Sequence, residues 1–177
     1  MINKVIKYSI GSDLIIYVFR CIIGFLIGYQ LYIQFPEHEL FWTLLSIILV
    51  ISPEAKDSKR LAIERFKSNL IGSGIGLLCF LIHTPNVFVV LLGIILSILV
   101  CYFFELMNVA RTAIVALVIV LIHEQHLLTW LGAIERFISV ALGCFIGLFI
   151  TIFTSYIINY LRKKANLPQE ETINLKN

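Results

Sequence analysis

The sequence carries little charge for its length. Charged residues make up 14% of the 177 positions, whereas apolar residues make up 59%. A soluble domain usually contains about 25% charged residues, and a chain of this length has too little interior to bury so many apolar side chains. The composition therefore excludes an ordinary water-soluble domain, and the length leaves no room for a separate soluble enzyme module. We predict an all-α integral membrane protein.

Cysteine and proline are also scarce, with four of each. The cysteines stand singly in apolar stretches without a Cys-x-x-Cys pair or metal-binding spacing, so we expect packed thiols rather than a disulfide framework. Pro36, Pro53 and Pro85 lie between apolar stretches, where the missing backbone N–H costs least. These prolines are predicted to separate helices.

Motifs for catalysis and nucleotide binding are lacking. There is no Walker motif, glycine-rich nucleotide loop, nucleophile elbow or pair of catalytic carboxylates, so we expect neither an enzyme nor a cofactor. A basic nucleic-acid surface is lacking too. His123 and His126 lie three residues apart, and a metal site would need a further ligand such as His38 or His83. Solvated loop histidines are the simpler interpretation, and no metal site is predicted.

Six apolar segments follow one another along the chain. About 20 apolar residues cross the roughly 30 Å hydrocarbon core. The second and fifth segments fall short of this length, and they either end within the bilayer or continue through less apolar flanks. The segments are Leu14–Ile33, Leu40–Ser52, Leu61–Ile82, Val87–Leu106, Thr112–Ile122 and Leu127–Leu161. We interpret them as six transmembrane helices.

Lysine and arginine mark one side of the membrane. They occur in the N-terminal residues 1–13, in the second and fourth connections and in the tail 162–177, whereas the other three connections contain none. Because basic loops stay in the cytoplasm, both termini are predicted to be cytoplasmic. The first segment is long and lacks a cleavage site, so we interpret it as a retained span rather than a signal peptide.

Two parts of the chain are related in sequence. Leu61–Ile82 and Gly132–Phe153 are identical at ten of 22 positions without a gap, including a shared Ala-Ile-Glu-Arg-Phe. The same register pairs Trp42–Ile51 with Ala113–Ile122, so residues 14–86 and 87–161 form two three-helix repeats. Three is an odd number, so the repeats are predicted to be inverted. Transporters often use this plan, with the binding site beside short or interrupted helices.

Charged residues inside apolar segments are candidates for function, because charge is costly in a bilayer. Arg20 either attracts an anionic solute or extends to the cytoplasmic headgroups. Arg65 and Arg136 either lie at the two ends of a shared anion pathway or act as structural clamps where their helices begin. Glu64 and Glu135 precede these arginines, point about 100° away from them on a helix, and are predicted to be structural partners bound to other helices.

The fifth segment opens with Arg111 and Thr112. Arg111 is either an access point for an anion at a positive helix N-terminus or an ordinary cytoplasmic charge, with Glu105 as its expected partner. Thr112 is predicted to cap the helix. Small residues also recur in Gly-x-x-x-Gly motifs, which favour close helix packing within or between chains. The motifs are Gly24/Gly28, Gly72/Gly76 and Gly143/Gly147.

The order of these residues resembles the membrane module of the fusaric acid resistance and aromatic acid exporter family, which the plant aluminium-activated malate transporters resemble as well. The resemblance covers about residues 15–160. It is carried by Arg20, Trp42, Pro53, Arg65, Gly72 and Gly76, and then by Arg136, Gly143 and Gly147. It implies export or passive conduction of organic anions, often aromatic carboxylates, by a dimer with an arginine-lined path.

The chain departs from this family pattern in two ways. Ser68-Asn69 and Ser139-Val140 stand where relatives often have Gly-Thr. Most relatives also carry a second membrane block or a large cytoplasmic domain, so we expect either a minimal pore-forming unit or a protein partner that replaces the domain. The sequence predicts a gradient-driven exporter of small organic anions in the inner membrane, as a homodimer. The pathway residues are Arg20, Trp42, Arg65, Arg111, Thr112 and Arg136. The alternative is a non-transporting membrane subunit that assembles or regulates a partner complex.

Overall fold

The computed structural model describes residues 13–36, 40–82, 86–123 and 130–164, and within these ranges it contains no strand. A 3₁₀ turn, Met107–Val109, precedes the fifth helix, and a π-helical turn, Ile119–His123, follows it. The α-helices of the described residues are α1 (Asp13–Gln34), α2 (Phe41–Val50), α3 (Ala55–Ile82), α4 (Val87–Phe103), α5 (Ala110–Val118) and α6 (Trp130–Lys164). Each predicted segment corresponds to one helix, which confirms the all-helical prediction.

Three of these helices are long and apolar enough to cross a membrane. The qualifying stretches are Leu14–Gln34, Ala55–Ile82 and Ile134–Lys164. The apolar helices Phe41–Val50, Val87–Phe103 and Met107–Ile122 are shorter. With 10 residues, α2 is only about 15 Å long. The second and fifth helices are therefore short, as the apolar segments predicted.

Local sequence accounts for several helix ends. Ile51 is extended (φ −66°, ψ 124°) and is followed by Ser52 and Pro53, which ends α2. Asn86 begins α4, where its side chain accepts a hydrogen bond of 2.9 Å from the backbone N–H of Val89. At the other end of α4, Glu105 has a left-handed φ of 56°.

The turn after α4 is a Schellman motif. The backbone N–H of Leu106 donates to the carbonyl of Cys101 at 2.7 Å, and that of Glu105 donates to the carbonyl of Tyr102 at 3.1 Å. This pattern requires a left-handed residue, which is usually glycine, because glycine has no Cβ to clash with the backbone. Here Glu105 takes that place.

The helices form two compact units. The first unit consists of Met1–Ala62 and Leu142–Asn177, so it includes α1, α2, the beginning of α3 and most of α6. Among its described residues, Ile47, Ile51 and Ile150 form a buried core.

The second unit is Ile63–Ala141, which includes most of α3, all of α4 and α5, and the beginning of α6. Its described residues include two buried apolar clusters, one of Ile75, Cys79, Leu117 and Leu121, and one of Cys101, Ala110 and Ala113. Each unit thus combines two helices of one sequence repeat with much of the third helix of the other.

Glycine contacts explain why α3 joins the second unit. A Cβ added at Gly72 would collide with the carbonyl of Ala113 and lie 2.6 Å from Cβ of Ala116. One added at Gly76 would lie 2.8 Å from Cγ1 of Val120. The glycine face of α3 therefore fits against α5, where the absence of side chains permits close approach.

The first unit repeats this arrangement with α6 and α2. A Cβ added at Gly143 would lie 2.5 Å from both the carbonyl of Thr43 and Cβ of Ser46. One added at Gly147 would lie 3.0 Å from the carbonyl of Ile47. The glycines of α3 and α6 thus pack on the short helices of the same chain.

These contacts also correct the alignment of the short helices. Thr43, Ser46 and Val50 of α2 contact the α6 glycines, and Ala113, Ala116 and Val120, 70 residues later, contact the α3 glycines. The glycines themselves are 71 residues apart. The gap-free pairing of Trp42–Ile51 with Ala113–Ile122 is therefore wrong by one residue, because the second repeat has one more residue between its short helix and its first glycine.

Candidate functional site

Arg20 is completely buried in the first unit, with 0% of its surface exposed. Its Nη1 donates to the backbone carbonyls of Ser52 at 3.2 Å and Pro53 at 2.7 Å. Its Nε donates to Oγ1 of Thr154 at 3.0 Å, and its Nη2 donates to Oγ of Ser155 at 2.7 Å. The guanidinium therefore joins α1 to the connection after α2 and to α6.

This arrangement gives Arg20 a role that neither sequence interpretation included. Its positive charge lies just beyond the C-terminus of α2, where the helix dipole is negative and the last carbonyls lack partners in the helix. The carbonyls of Ser52 and Pro53 that Arg20 binds lie in the connection directly after this helix end. The adjacent polar pair Thr154-Ser155 in an otherwise apolar segment was the signal that could have revealed these partners.

The second unit brings together the Ala-Ile-Glu-Arg-Phe motifs of the two repeats. The rings of Phe66 and Phe137 are in contact, with centroids 5.4 Å apart. Arg65 precedes Phe66 and is half-buried, whereas Arg136 precedes Phe137 and is only 4% exposed. The sequence had suggested that Arg65 and Arg136 lie at opposite ends of a pathway, and it did not predict that the two motifs are in contact.

Glu64 accepts a hydrogen bond from a residue of another element. Nδ2 of Asn108, in the 3₁₀ turn before α5, donates to Oε1 of Glu64 at 3.3 Å. Both side chains are accessible, so this bond links the start of α5 to α3 near the surface of the unit. Glu135, the equivalent of Glu64, is half-buried.

The start of α5 differs from its prediction in two respects. No side chain caps the helix, and the hydroxyl of Thr112 instead donates to the carbonyl of Val109 at 2.9 Å. Thr112 lies inside the first turn, where a hydroxyl reaches the carbonyl three residues earlier. Within residues 86–123, Arg111 is exposed and forms no ion pair with Glu105, because the left-handed turn ends α4 between them. The predicted cap and the predicted ion pair are both wrong.

The candidate residues divide between the units. Arg20 and Trp42 belong to the first unit, where Trp42 is half-buried at the start of α2 and its carbonyl accepts a 2.7 Å hydrogen bond from Ser46. The second unit contains the other four, which are Arg65, Arg111, Thr112 and Arg136.

A buried amide in the second unit was noted in the sequence only as a departure from the family pattern. Asn69 is 4% exposed, and its Oδ1 accepts a hydrogen bond of 3.4 Å from Ser73. Its Nδ2 has no acceptor among the described residues. Asparagine in an apolar helix was the available sequence signal.

Metal binding finds no support in the described part of the chain, where no group of three or more His, Cys, Asp or Glu side chains could hold an ion. The histidines His38, His83 and His126, which the sequence had suggested as possible ligands, lie outside the described residues.

The sequence profile described as fusaric acid resistance protein-like matches residues 17–150, which include most of α1, all of α2 to α5 and more than half of α6. The chain belongs to this family. The family resemblance inferred from the arginine and glycine pattern is therefore confirmed. No curated protein and no solved structure gives a significant match. Family membership and the apolar helices indicate a membrane protein of the transporter or exporter type.

Proposed function

We propose that this protein is a gradient-driven transporter, or a channel-like exporter, of small organic anions such as aromatic carboxylates. It acts in the inner membrane as a homodimer of six-span subunits with cytoplasmic termini. The observation that carries the proposal is the contact between Phe66 and Phe137, because it holds Arg65 and the buried Arg136 beside one packing point.

Helix directions in the first unit support six crossings. Gly24 contacts Ile47 and Ile51, whereas Gly28, further along α1, contacts Leu44 and Ile47, so α1 and α2 are antiparallel. The glycines of α6 progress in the same direction as their contacts on α2. A chain that crosses a bilayer back and forth produces both arrangements. Consecutive helices such as α1 and α2 are then antiparallel, and helices separated by an even number of crossings, such as α2 and α6, are parallel.

The second unit supports the same plan. Gly93 of α4 contacts Leu117, and Cys101 clusters with Ala110 and Ala113, so α4 and α5 are antiparallel. The α3 glycines progress in the same direction as their contacts on α5. Helices three and five of an alternating chain share their direction, as this arrangement requires.

If the two repeats are inverted, the contact between Phe66 and Phe137 fixes its own depth in the bilayer. Equivalent residues of inverted repeats lie at opposite depths, so they touch only near the middle of the bilayer. Phe66 and Phe137 are equivalent and in contact. Arg65 and Arg136 then lie near the midplane, where ionisable residues are costly and serve transport in many membrane proteins.

The chemistry of these arginines suits a carboxylate. A guanidinium is charged at all physiological pH values and donates two parallel hydrogen bonds to a carboxylate, more strongly where water is excluded. Arg111 is exposed in the first turn of α5, at a helix end that favours anions, so it serves as an access point in this proposal. Arg20 stabilises the first unit through its protein contacts and is given no substrate contact.

Reconstitution of the full-length protein in liposomes tests the proposal. We expect fusarate and benzoate to move down an imposed gradient without ATP. Arg65→Gln and Arg136→Gln should each reduce flux by about 10-fold to 100-fold, since a hydrogen bond to a charged group contributes about 1.5–3 kcal/mol. Arg65→Lys and Arg136→Lys should retain part of the flux because the charge remains.

Lys67→Ile is the matched control. Lys67 is exposed on α3 two residues before Asn69, and Ile138 occupies the equivalent place in the second repeat, so the substitution removes one charge with little effect on folding. Wild-type flux in both glutamine variants, with folding intact, would contradict the proposed pathway. No flux from wild-type protein for either anion would favour the non-transporting subunit, and a monomer in nanodiscs would contradict the homodimer.

A further inference from the structure

One face of α3 carries a polar side chain that the proposed pathway does not yet use. Asn69 is 4% exposed, and its Nδ2 has no acceptor among the described residues, although its Oδ1 is bonded to Ser73. A buried donor without a partner destabilises a protein, and in an apolar helix bundle water is not freely available to replace that partner. An amide in this state indicates an acceptor that the protein itself does not provide.

The position of Asn69 relates it to Arg65. Residues four apart share a face of a helix, so Arg65, Asn69 and Ser73 form one polar stripe along α3. Exposure falls along the stripe, from the half-buried Arg65 to the buried Asn69 and Ser73. Gly72 and Gly76 hold the adjoining face of the same helix against α5. The amide thus lies one turn deeper in the unit than the charge.

We propose that Asn69 is the uncharged hydrogen-bond donor of a carboxylate-binding site whose charged residue is Arg65. This inference rests on the proposed function and specifies how the substrate is bound. Nδ2 of Asn69 donates to one oxygen of the anion while Arg65 contributes the positive charge. An arginine alone attracts any small anion. An amide donor one helical turn away adds selectivity for an anion that has two oxygens on a planar group, and therefore favours monocarboxylates over chloride.

The second repeat shows how the site differs between the halves. Val140 stands in the place equivalent to Asn69 and is 2% exposed. The fold therefore accommodates a β-branched apolar side chain at this place in one repeat. Among the described residues Asn69 is the one buried amide with an unpartnered donor, so we expect one carboxylate site per subunit.

The test compares Asn69→Val with wild-type protein in the same liposomes, using benzoate and chloride as probes. The KM for benzoate should rise about 10-fold or more, because a hydrogen bond to a carboxylate is lost. Chloride flux should stay unchanged, so the preference for benzoate falls by the same factor. The thermal midpoint should stay the same or increase, because an unpartnered buried donor has been removed.

Two further variants make the result specific. Asn69→Asp is isosteric and adds a negative charge, so benzoate flux should be lost. Ser97→Ala is the control, because Ser97 is also fully buried and its hydroxyl has no partner among the described residues. Ser97 lies on α4, one turn from Gly93. Gly93 packs against Cys79 of α3, which is well removed along that helix from Asn69. Removal of the Ser97 hydroxyl should leave the KM for benzoate unchanged.

Binding measured by isothermal titration of the purified protein with benzoate separates this inference from the proposed function. Flux from wild-type protein with an unchanged KM in Asn69→Val would overturn the site and leave the transport function standing. Binding without flux that is lost in Asn69→Val would support the site and overturn transport. Parallel loss of stability, benzoate flux and chloride flux would show that Asn69 acts only in folding, for example by holding a buried water, and would overturn the site. Neither flux nor binding in wild-type protein would overturn both.

Discussion

Phe66 and Phe137, which occupy the same place in the two sequence repeats, are in ring contact with centroids 5.4 Å apart and planes inclined by 55°. They come from α3 and α6, so their contact depends on the packing of helices that are distant in sequence. Arg65 and Arg136 each precede one of these rings. The contact therefore couples α3 to α6 at the point where both arginines lie.

A double-mutant cycle tests this coupling. We expect Phe66→Leu and Phe137→Leu to interact by about 0.5–1.5 kcal/mol in the free energy of unfolding, because aromatic pairs contribute this much beyond their buried area. Unfolding in mixed detergent micelles measures it. Phe149 and Phe153 are stacked within α6 on an exposed face and provide the control pair, which should leave anion flux unchanged. Strictly additive effects of the Phe66 and Phe137 substitutions would contradict the prediction.

Glycine packing on the short helices yields a second prediction. Gly72→Ala and Gly143→Ala should each lower the free energy of unfolding by about 1–3 kcal/mol, since the new Cβ would meet backbone carbonyls of α5 and α2 that cannot move alone. Gly74→Ala is the matched control, because a Cβ there meets nothing within 4 Å. It should be neutral or stabilising by up to about 1 kcal/mol through its higher helix propensity. Equal effects at Gly72 and Gly74 would show that propensity, not packing, governs these positions.

Arg20 is predicted to matter for folding rather than for anion contact. Arg20→Met leaves the carbonyls of Ser52 and Pro53 without this donor and should destabilise the protein by about 2–4 kcal/mol. Arg20→Lys should recover only part of this, because one ammonium cannot match the planar guanidinium. Thermal unfolding in detergent measures both.

A surface arginine provides the comparison for Arg20. Arg60 pairs with Asp57 at 3.3 Å on the exposed side of α3, so Arg60→Met should change stability by less than about 1 kcal/mol. If Arg20→Met were equally mild and instead abolished flux in fully folded protein, direct contact with the anion would be the better interpretation.

Glu105 is a position where a substitution should stabilise the protein. Its φ of 56° is left-handed, which costs a residue with a Cβ about 1–2 kcal/mol. Glu105→Gly should therefore raise the free energy of unfolding by about 1 kcal/mol. Glu105→Ala removes the carboxylate but keeps the strain, so it should have little effect. A matching gain in the alanine variant would attribute the effect to charge instead of backbone strain.

Much of the local structure was predictable because it depends on neighbouring residues. Apolar length identified the helices, and proline positions identified the ends of α1 and α2. The start of α3 was placed too late, at Leu61 instead of Ala55, because its first turns are polar and carry no hydrophobic signal. The fifth helix begins at Ala110, two residues before the predicted Thr112, because Arg111 interrupts the apolar segment.

Contacts between distant segments were not predictable from one sequence. The charge of Arg20 was visible, but its acceptors come from residues 52 and 53 and from residues 154 and 155. The Gly-x-x-x-Gly motifs predicted close helix packing but not which helices pack. Many apolar helices could face a glycine surface, so the pairing with α2 and α5 depends on the complementary shape of the helix surfaces. The amide of Asn69 is ordinary in a sequence and becomes informative only once its burial and its missing acceptor are known.

Composition and the length of the apolar segments were sufficient for the helical class and the number of helices, because both depend on side chains close together in the chain. The family followed from the order of arginines, glycines, Trp42 and Pro53 along the sequence, which needs no knowledge of tertiary contacts. The tertiary structure alone decided that α3 packs on α5 and α6 packs on α2, that Phe66 meets Phe137, and that Arg20 is buried among carbonyls and hydroxyls. These relationships depend on complementary shape and on the pairing of buried polar groups between segments that are distant in sequence.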